Sequence, residues 1–131
     1  MKALDTNVLI RLLTCDHEEQ AMKVKALIDS HAGEDEVFFV SDIVIAELSW
    51  TLERSYRYSR SEIEAAISAL SVNRSFSFES SPALEVALEI FRSVDAGFPD
   101  CLIAAKARLR GCSKAVTFDR KMVDLPGVEC L

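Results

Sequence analysis

Four acidic residues stand where a strand or a helix could turn them to chemistry. Asp5 lies between the short apolar run Ala3-Leu4, read as the end of a buried strand, and a helix start from Asn7 to Leu13. Asp119 follows Val116-Thr117-Phe118 in the same way, and Asp100 comes directly after Pro99 in the first turn of another predicted helix. Glu47 falls inside a helix, on a stripe with Ile43, Val44, Trp50 and Thr51. In an open parallel α/β sheet, ligands bind at the carboxyl ends of the strands. Carboxylates gathered at such an edge repel and raise one another's pKa, an arrangement that a divalent cation relieves. Mg²⁺ is typically held by one or two carboxylates, with water and substrate phosphate completing its shell. Such an ion can activate water and stabilise charge on a phosphodiester undergoing displacement.

Taken singly, most of these acids have a plain structural explanation. Asp5 and Asp119 are good helix caps, and Asp100 complements a helix dipole. Glu47 is different, because an acid among apolar neighbours is desolvated at a cost unless something cationic meets it. Arg54 is two turns further along, outside the three- or four-residue spacing of helical ion pairs, so a long-range salt bridge is the structural alternative. No Ser-His-Asp arrangement, Gly-rich phosphate loop or GxGxxG competes with a carboxylate site.

The elements that must position these acids alternate in type. After the first helix, Asp16 is positioned to cap a second, with Ala21, Val24, Leu27 and Ile28 at helical spacing. Gly33 and Glu34-Asp35-Glu36 end it in an exposed loop. Val37-Phe38-Phe39-Val40 reads as a strand covered on both faces, and Ser41 or Asp42 caps the helix to about Arg54. Ser61 with Glu64 forms a capping box for a helix whose core face is Ile63, Ile67 and Leu70. Phe76-Ser77-Phe78 is a third strand, and Ser81-Pro82 opens a helix with the stripe Leu84, Ala87, Leu88, Phe91 and Val94. Ala96-Gly97 breaks the chain before a helix from Pro99-Asp100 to Arg110, which Gly111 terminates. Ala115 to Phe118 is a fourth strand and Val128-Glu129-Cys130 a short fifth. Alternating strands and helices predict right-handed crossovers and a parallel sheet between helical layers, with strands one and four delivering acids to one edge.

Composition narrows the function classes. The chain has 131 residues, half of them hydrophobic, which fits one domain with a core that needs no disulfides or structural metal. With 21 acids against 15 bases the net charge is −6, which argues against a broad cationic surface for nucleic acid and leaves room for a local basic rim. Cys15, Cys101, Cys112 and Cys130 are scattered, pointing to reduced thiols in the cytosol, and His17 and His31 lack a zinc-site setting. The apolar start is broken by Asp5 and Arg11, unlike a signal peptide, and no window approaches the length of a membrane span. The expectation is therefore a cytoplasmic protein with no membrane role. Trp50, Tyr56 and Tyr58, interleaved with Arg54, Arg57 and Arg60, could stack on RNA; the alternative is a core Trp50 beside an ordinary solvated turn.

At the four acids the sequence resembles a PIN-domain ribonuclease, in particular the VapC-type toxins of toxin–antitoxin pairs. The matching pieces, in family order, are Leu4-Asp5-Thr6-Asn7-Val8-Leu9, Ser41 with Glu47, Phe98-Pro99-Asp100-Cys101-Leu102-Ile103-Ala104-Ala105, and Val116-Thr117-Phe118-Asp119-Arg120-Lys121. Together they span essentially the whole chain. The resemblance implies a single PIN-like domain over residues 1–131, a three-layer α/β/α fold with a central parallel sheet of four to five short strands. It implies that Asp5, Glu47, Asp100 and Asp119 form an acidic quartet that binds Mg²⁺ or Mn²⁺ and positions the attacking water. Thr6, Asn7 and Thr117 match small polar positions with supporting roles. Many relatives carry a further acid three residues before the third quartet member, where this chain has Gly97; Asp95 is nearby but out of register. The implied activity is metal-dependent endoribonuclease, with an RNA substrate, a VapB-type antitoxin that often presents an Arg or Lys to the acids, and homodimerisation.

Two rivals belong to other classes. One is a PIN-like RNA- or protein-binding module that retains the acids and has lost turnover, supported by Gly97. The other is a receiver-type domain, which wants paired acids after strand one and a Lys at the end of the last strand. Here Asp-Thr-Asn follows strand one and Lys114 precedes strand four.

Overall fold

A computed structural model describes all residues, Met1–Leu131. The chain divides into two compact units, Met1–Glu79 and Ser80–Leu131.

The first unit runs β1 (Lys2–Ala3), α1 (Thr6–Thr14), α2 (Glu18–Asp29), β2 (Phe38–Val40), α3 (Asp42–Arg54), α4 (Arg60–Ser71) and β3 (Phe76–Phe78). Its strands form one parallel sheet in the order β1-β2-β3, with Lys2 opposite Phe38 and Phe38 opposite Phe76. β2 is central and carries the apolar side chains Phe38 and Val40, both buried. β1 differs from its expected character: Lys2 and Ala3 are exposed, and burial begins at Leu4. A two-residue edge strand ends before the chain reaches the core, so only the residue that leads into Asp5 is covered. Leu9 and Ile10 of α1, Ile45, Leu48 and Leu52 of α3, and Ile63, Ile67 and Leu70 of α4 complete this core. Burying each such side chain stabilises the fold by roughly 1.5–3 kcal/mol.

Two caps fall elsewhere than expected. His17, not Asp16, caps α2, its ring Nδ1 accepting from the Gln20 amide at 3.2 Å. Asp16 instead accepts hydrogen bonds from the Tyr56 hydroxyl at 2.6 Å and the Thr14 hydroxyl at 2.8 Å, and pairs with Arg11 at 3.1 Å. The Tyr56 and Thr14 hydroxyls, then the Arg11 charge, hold its carboxyl below the usual range. The capping box before α4 is built by Ser59 and Glu62, two residues earlier than the Ser61–Glu64 frame. Ser41 caps α3 as expected, accepting from the Val44 amide.

The second unit runs α5 (Ser81–Ser93), α6 (Phe98–Arg110), β4 (Ala115–Thr117), a 3₁₀ turn (Arg120–Met122) and β5 (Val128–Cys130). α5 buries Leu84, Ala87, Leu88 and Phe91; α6 buries Cys101, Leu102, Ala104 and Ala105. Phe91 and Phe98 meet edge to face, with ring centroids 5.4 Å apart. Gly111 ends α6 in the left-handed conformation at φ 89°, where a side chain would be strained. β4 and β5 pair in parallel as a separate two-stranded sheet. All five expected strands are therefore present and parallel, hydrogen-bonded in groups of three and two instead of one ladder. The two groups coincide with the two units. The four cysteines are free thiols, and no helix is long and apolar enough to cross a membrane.

Candidate active site

Each unit holds two of the four acids. In the first, Asp5 is the residue before α1, in extended backbone, and its carboxylate makes no capping hydrogen bond to the helix. Capping is therefore not what Asp5 does, although Ser41, Ser59 and His17 all cap in the ordinary way. Its carboxylate is exposed and left unused by the fold. The next residue, Thr6, is buried, and its hydroxyl donates to Glu47 Oε2 at 2.8 Å. A single hydrogen bond thus ties the start of α1 to the middle of α3 and orients the Glu47 carboxylate beside the Asp5 segment. Asn7 is exposed in the first turn of α1.

Glu47 itself is exposed, as are Ile43 and Trp50, at 70% and 53%. The buried stripe of α3 is Ile45, Leu48, Ser49 and Leu52. Of the expected stripe, Ile43 and Trp50 thus belong to the outer face and Val44 and Thr51 are half-buried, so Glu47 escapes the expected desolvation and Trp50 is not core. The Arg54 guanidinium lies over the Trp50 ring, 4.5 Å from its centroid.

In the second unit, Asp100 lies in the first turn of α6, half-buried. Burial first, and then the negative charge of Asp119, push its carboxyl above the usual range. As a first-turn acid Asp100 is also placed to complement the helix dipole, which favours its ionised form against those two effects. Its carboxylate has no hydrogen-bond or ion-pair partner. Asp119 is exposed and anchored by its surroundings: its Oδ1 accepts from the Lys121 amide at 2.9 Å, and its own amide donates to Thr117 Oγ1 at 3.0 Å. Asp119 therefore does cap the 3₁₀ turn, while its charge is felt at Asp100. The turn was not foreseen, because the Arg-Lys-Met sequence carries no helical periodicity.

Gly97 precedes α6 with φ −62°, a conformation open to any residue. A Cβ there would stand 3.6 Å from Asp100 Oδ2, an ordinary contact. A side chain at the position of the missing acid would thus begin in contact with the Asp100 carboxylate.

In the second unit Asp100 and Asp119 offer oxygen donors only, two carboxylates in mutual repulsion, which suit a hard divalent cation in kind. Neither unit by itself gathers three or more His, Cys, Asp or Glu side chains into a ready metal group.

Comparison with known proteins gives this arrangement a family. A model of the PIN domain matches residues 2–128. The VapC ribonuclease of Aquifex aeolicus (strain VF5) is 30% identical over 125 residues, covering 95% of this chain and 92% of that protein. A solved toxin–antitoxin complex from Klebsiella pneumoniae has a chain 20% identical, with a TM-score of 0.39 over 98% of this chain and 96% of that one. With unused or repelling carboxylates at the positions the motifs mark, and a family model that spans both units, this chain belongs to the PIN-domain family as a VapC-like member.

Proposed function

We propose that the chain is a divalent-metal-dependent endoribonuclease that hydrolyses RNA phosphodiester bonds as the toxin of a VapBC-type pair. Asp100 carries the reading: a desolvated carboxylate, raised further by Asp119 and given no donor, destabilises the fold unless a cation meets it. Asp5 supports it, since its carboxylate takes no part in capping. The family model's extent over residues 2–128 supports treating residues 1–131 as one working domain in which Asp5, Glu47, Asp100 and Asp119 serve one reaction.

On this reading Asp5 and Asp100, with Glu47 and Asp119, hold Mg²⁺ or Mn²⁺ and orient the attacking water. When bound, such an ion supplies Lewis-acid stabilisation of charge on the phosphodiester and eases ionisation of water. Thr6 fixes the Glu47 carboxylate, and Thr117 with the Lys121 amide fixes Asp119. One of the exposed carboxylates would accept the proton that water gives up. The VapC-like relationship also supports a small VapB-type antitoxin, a homodimer and a cytoplasmic setting.

The test is cleavage of total cellular RNA by the purified, partner-free protein with Mg²⁺ or Mn²⁺, with EDTA, and beside Asp5→Asn. Discrete fragments that need both metal and Asp5 are expected. Intact cleavage by Asp5→Asn and Asp100→Asn would sink the proposal. Metal binding with no cleavage would favour the binding-module reading, for which Gly97 is the specific support.

A further inference from the structure

α3 presents an outer face that the acid chemistry alone does not use. At 3.6 residues per turn, Ile43, Glu47, Trp50 and Arg54 fall within roughly 60° of one another around the helix axis. Trp50 is 53% exposed, although a tryptophan this size ordinarily contributes to a core. The Arg54 guanidinium carbon lies over its ring, 4.5 Å from the centroid, and Arg54 forms no ion pair with any carboxylate. With no hydrogen bond or ion pair engaging them, its N–H groups are available to a phosphate. Glu47 stands one turn before the indole, about 4.5 Å along the axis, with its carboxylate fixed by Thr6.

We infer that this face is a nucleotide platform, the Trp50 indole stacking an RNA base and Arg54 taking an adjoining phosphate, one helical turn from the Glu47 carboxylate. The inference rests on the ribonuclease reading and adds to it the residues that seat the strand. Carboxylate, aromatic face and free cation in sequence along one helix match what a nucleotide beside a reacting phosphodiester presents. Sequence-tolerant base stacking on aromatics and cations in this manner is how single strands are held. A partner helix fits the face less well, since its two apolar residues are separated by Glu47 and followed by Arg54 instead of forming a continuous ladder of anchors. The neighbouring tyrosines do not share the role equally: the Tyr56 hydroxyl is engaged by Asp16 and Arg11.

Trp50 is the single tryptophan of the chain, so its emission reports on this face alone. The experiment uses the full chain carrying Asp5→Asn, to prevent cleavage, titrated with a fluorescein-labelled single-stranded RNA of random sequence. Anisotropy follows binding on one set of samples, and Trp50 emission follows it on a parallel set with unlabelled RNA. Emission is expected to be quenched with the same midpoint as the anisotropy change. Adding Trp50→Ala is expected to weaken binding by roughly 10-fold or more, the effect of one base stack, and Trp50→Phe to restore most of it. Arg54→Gln should lower the slope of log affinity against log salt by about 0.7, one phosphate contact on a single strand. Circular dichroism melts of each variant, expected to match the parent because the side chains are exposed, separate binding from folding. RNA binding with unmoved emission and unchanged affinity in Trp50→Ala would overturn the platform while leaving the ribonuclease reading intact. Absence of both RNA binding and cleavage would remove the two together. Emission that responds to a co-purified antitoxin and never to RNA would make the face a protein-docking surface and overturn the inference.

Discussion

The informative residues are those whose local role is smaller than their placement requires. Thr6 is buried and spends its hydroxyl on a carboxylate 41 positions away. Thr6→Val keeps the shape and removes the donor, which should lower stability by about 1 kcal/mol, as for an ordinary hydrogen bond. A thermal melt measures that loss, and steady-state kinetics should show kcat falling more than KM rises if Glu47 orientation is what the bond provides. Asp100 gives a prediction of opposite sign. Its folded pKa lies above the unfolded value, so its contribution to stability is fully present below the unfolded pKa and is lost as pH rises through the folded one. In metal-free buffer Asp100→Asn should therefore melt at a higher temperature than the parent near neutral pH, with the gap closing in acid. The same variant should cleave no RNA. Sequence placed Asp5, Asp100 and Asp119 beside the helix and turn starts where the structure has them, because such positions are local. It misjudged the setting of Glu47, since a stripe of Ile43, Val44 and Trp50 looks apolar whether it faces inward or out. It had no access to the Thr6–Glu47 bond, which depends on how α1 meets α3.

Elements are legible where their punctuation is unique and ambiguous where it repeats. Gly111, Ser41 and Pro82 each mark one boundary, and α3, α5 and α6 run close to where they are expected. Before α4 the chain reads Ser59-Arg60-Ser61-Glu62-Ile63-Glu64, which contains two overlapping Ser-x-x-Glu frames. Both keep Ile63, Ile67 and Leu70 on the core face, so hydrophobic pattern cannot choose between them. The structure takes the earlier frame, in which the Ser59 carbonyl also accepts from the Ile63 amide at 2.9 Å. The choice is testable: Ser59→Ala should cost about 1 kcal/mol of stability, the usual value of a lost cap. Ser61→Ala, exposed within the first turn, should stay within about 0.5 kcal/mol of the parent in the same denaturant titration. The 3₁₀ turn and the two-residue β1 escaped clear definition for a common reason, since elements that short carry too few residues to establish a period.

For the molecule as a whole, a net charge of −6 and a repelling pair of acids make stability depend on what counter-charge is present. A cation that binds only the folded chain stabilises it by mass action, about 2.7 kcal/mol at a hundredfold excess over its dissociation constant. Melting temperature should accordingly rise with Mn²⁺ or Mg²⁺, return to baseline with EDTA, and respond far less in Asp100→Asn. A melt indifferent to either ion would count against the metal reading. Gly97 carries this electrostatic theme into genetics. Its backbone accepts any residue, and a Cβ there would stand in ordinary contact with Asp100 Oδ2. Every glycine codon lies a single base change from a codon for aspartate or glutamate. A further acid beside Asp100 is therefore one base change away for a cell carrying the gene, and a selection for altered activity would sample it among its earliest variants.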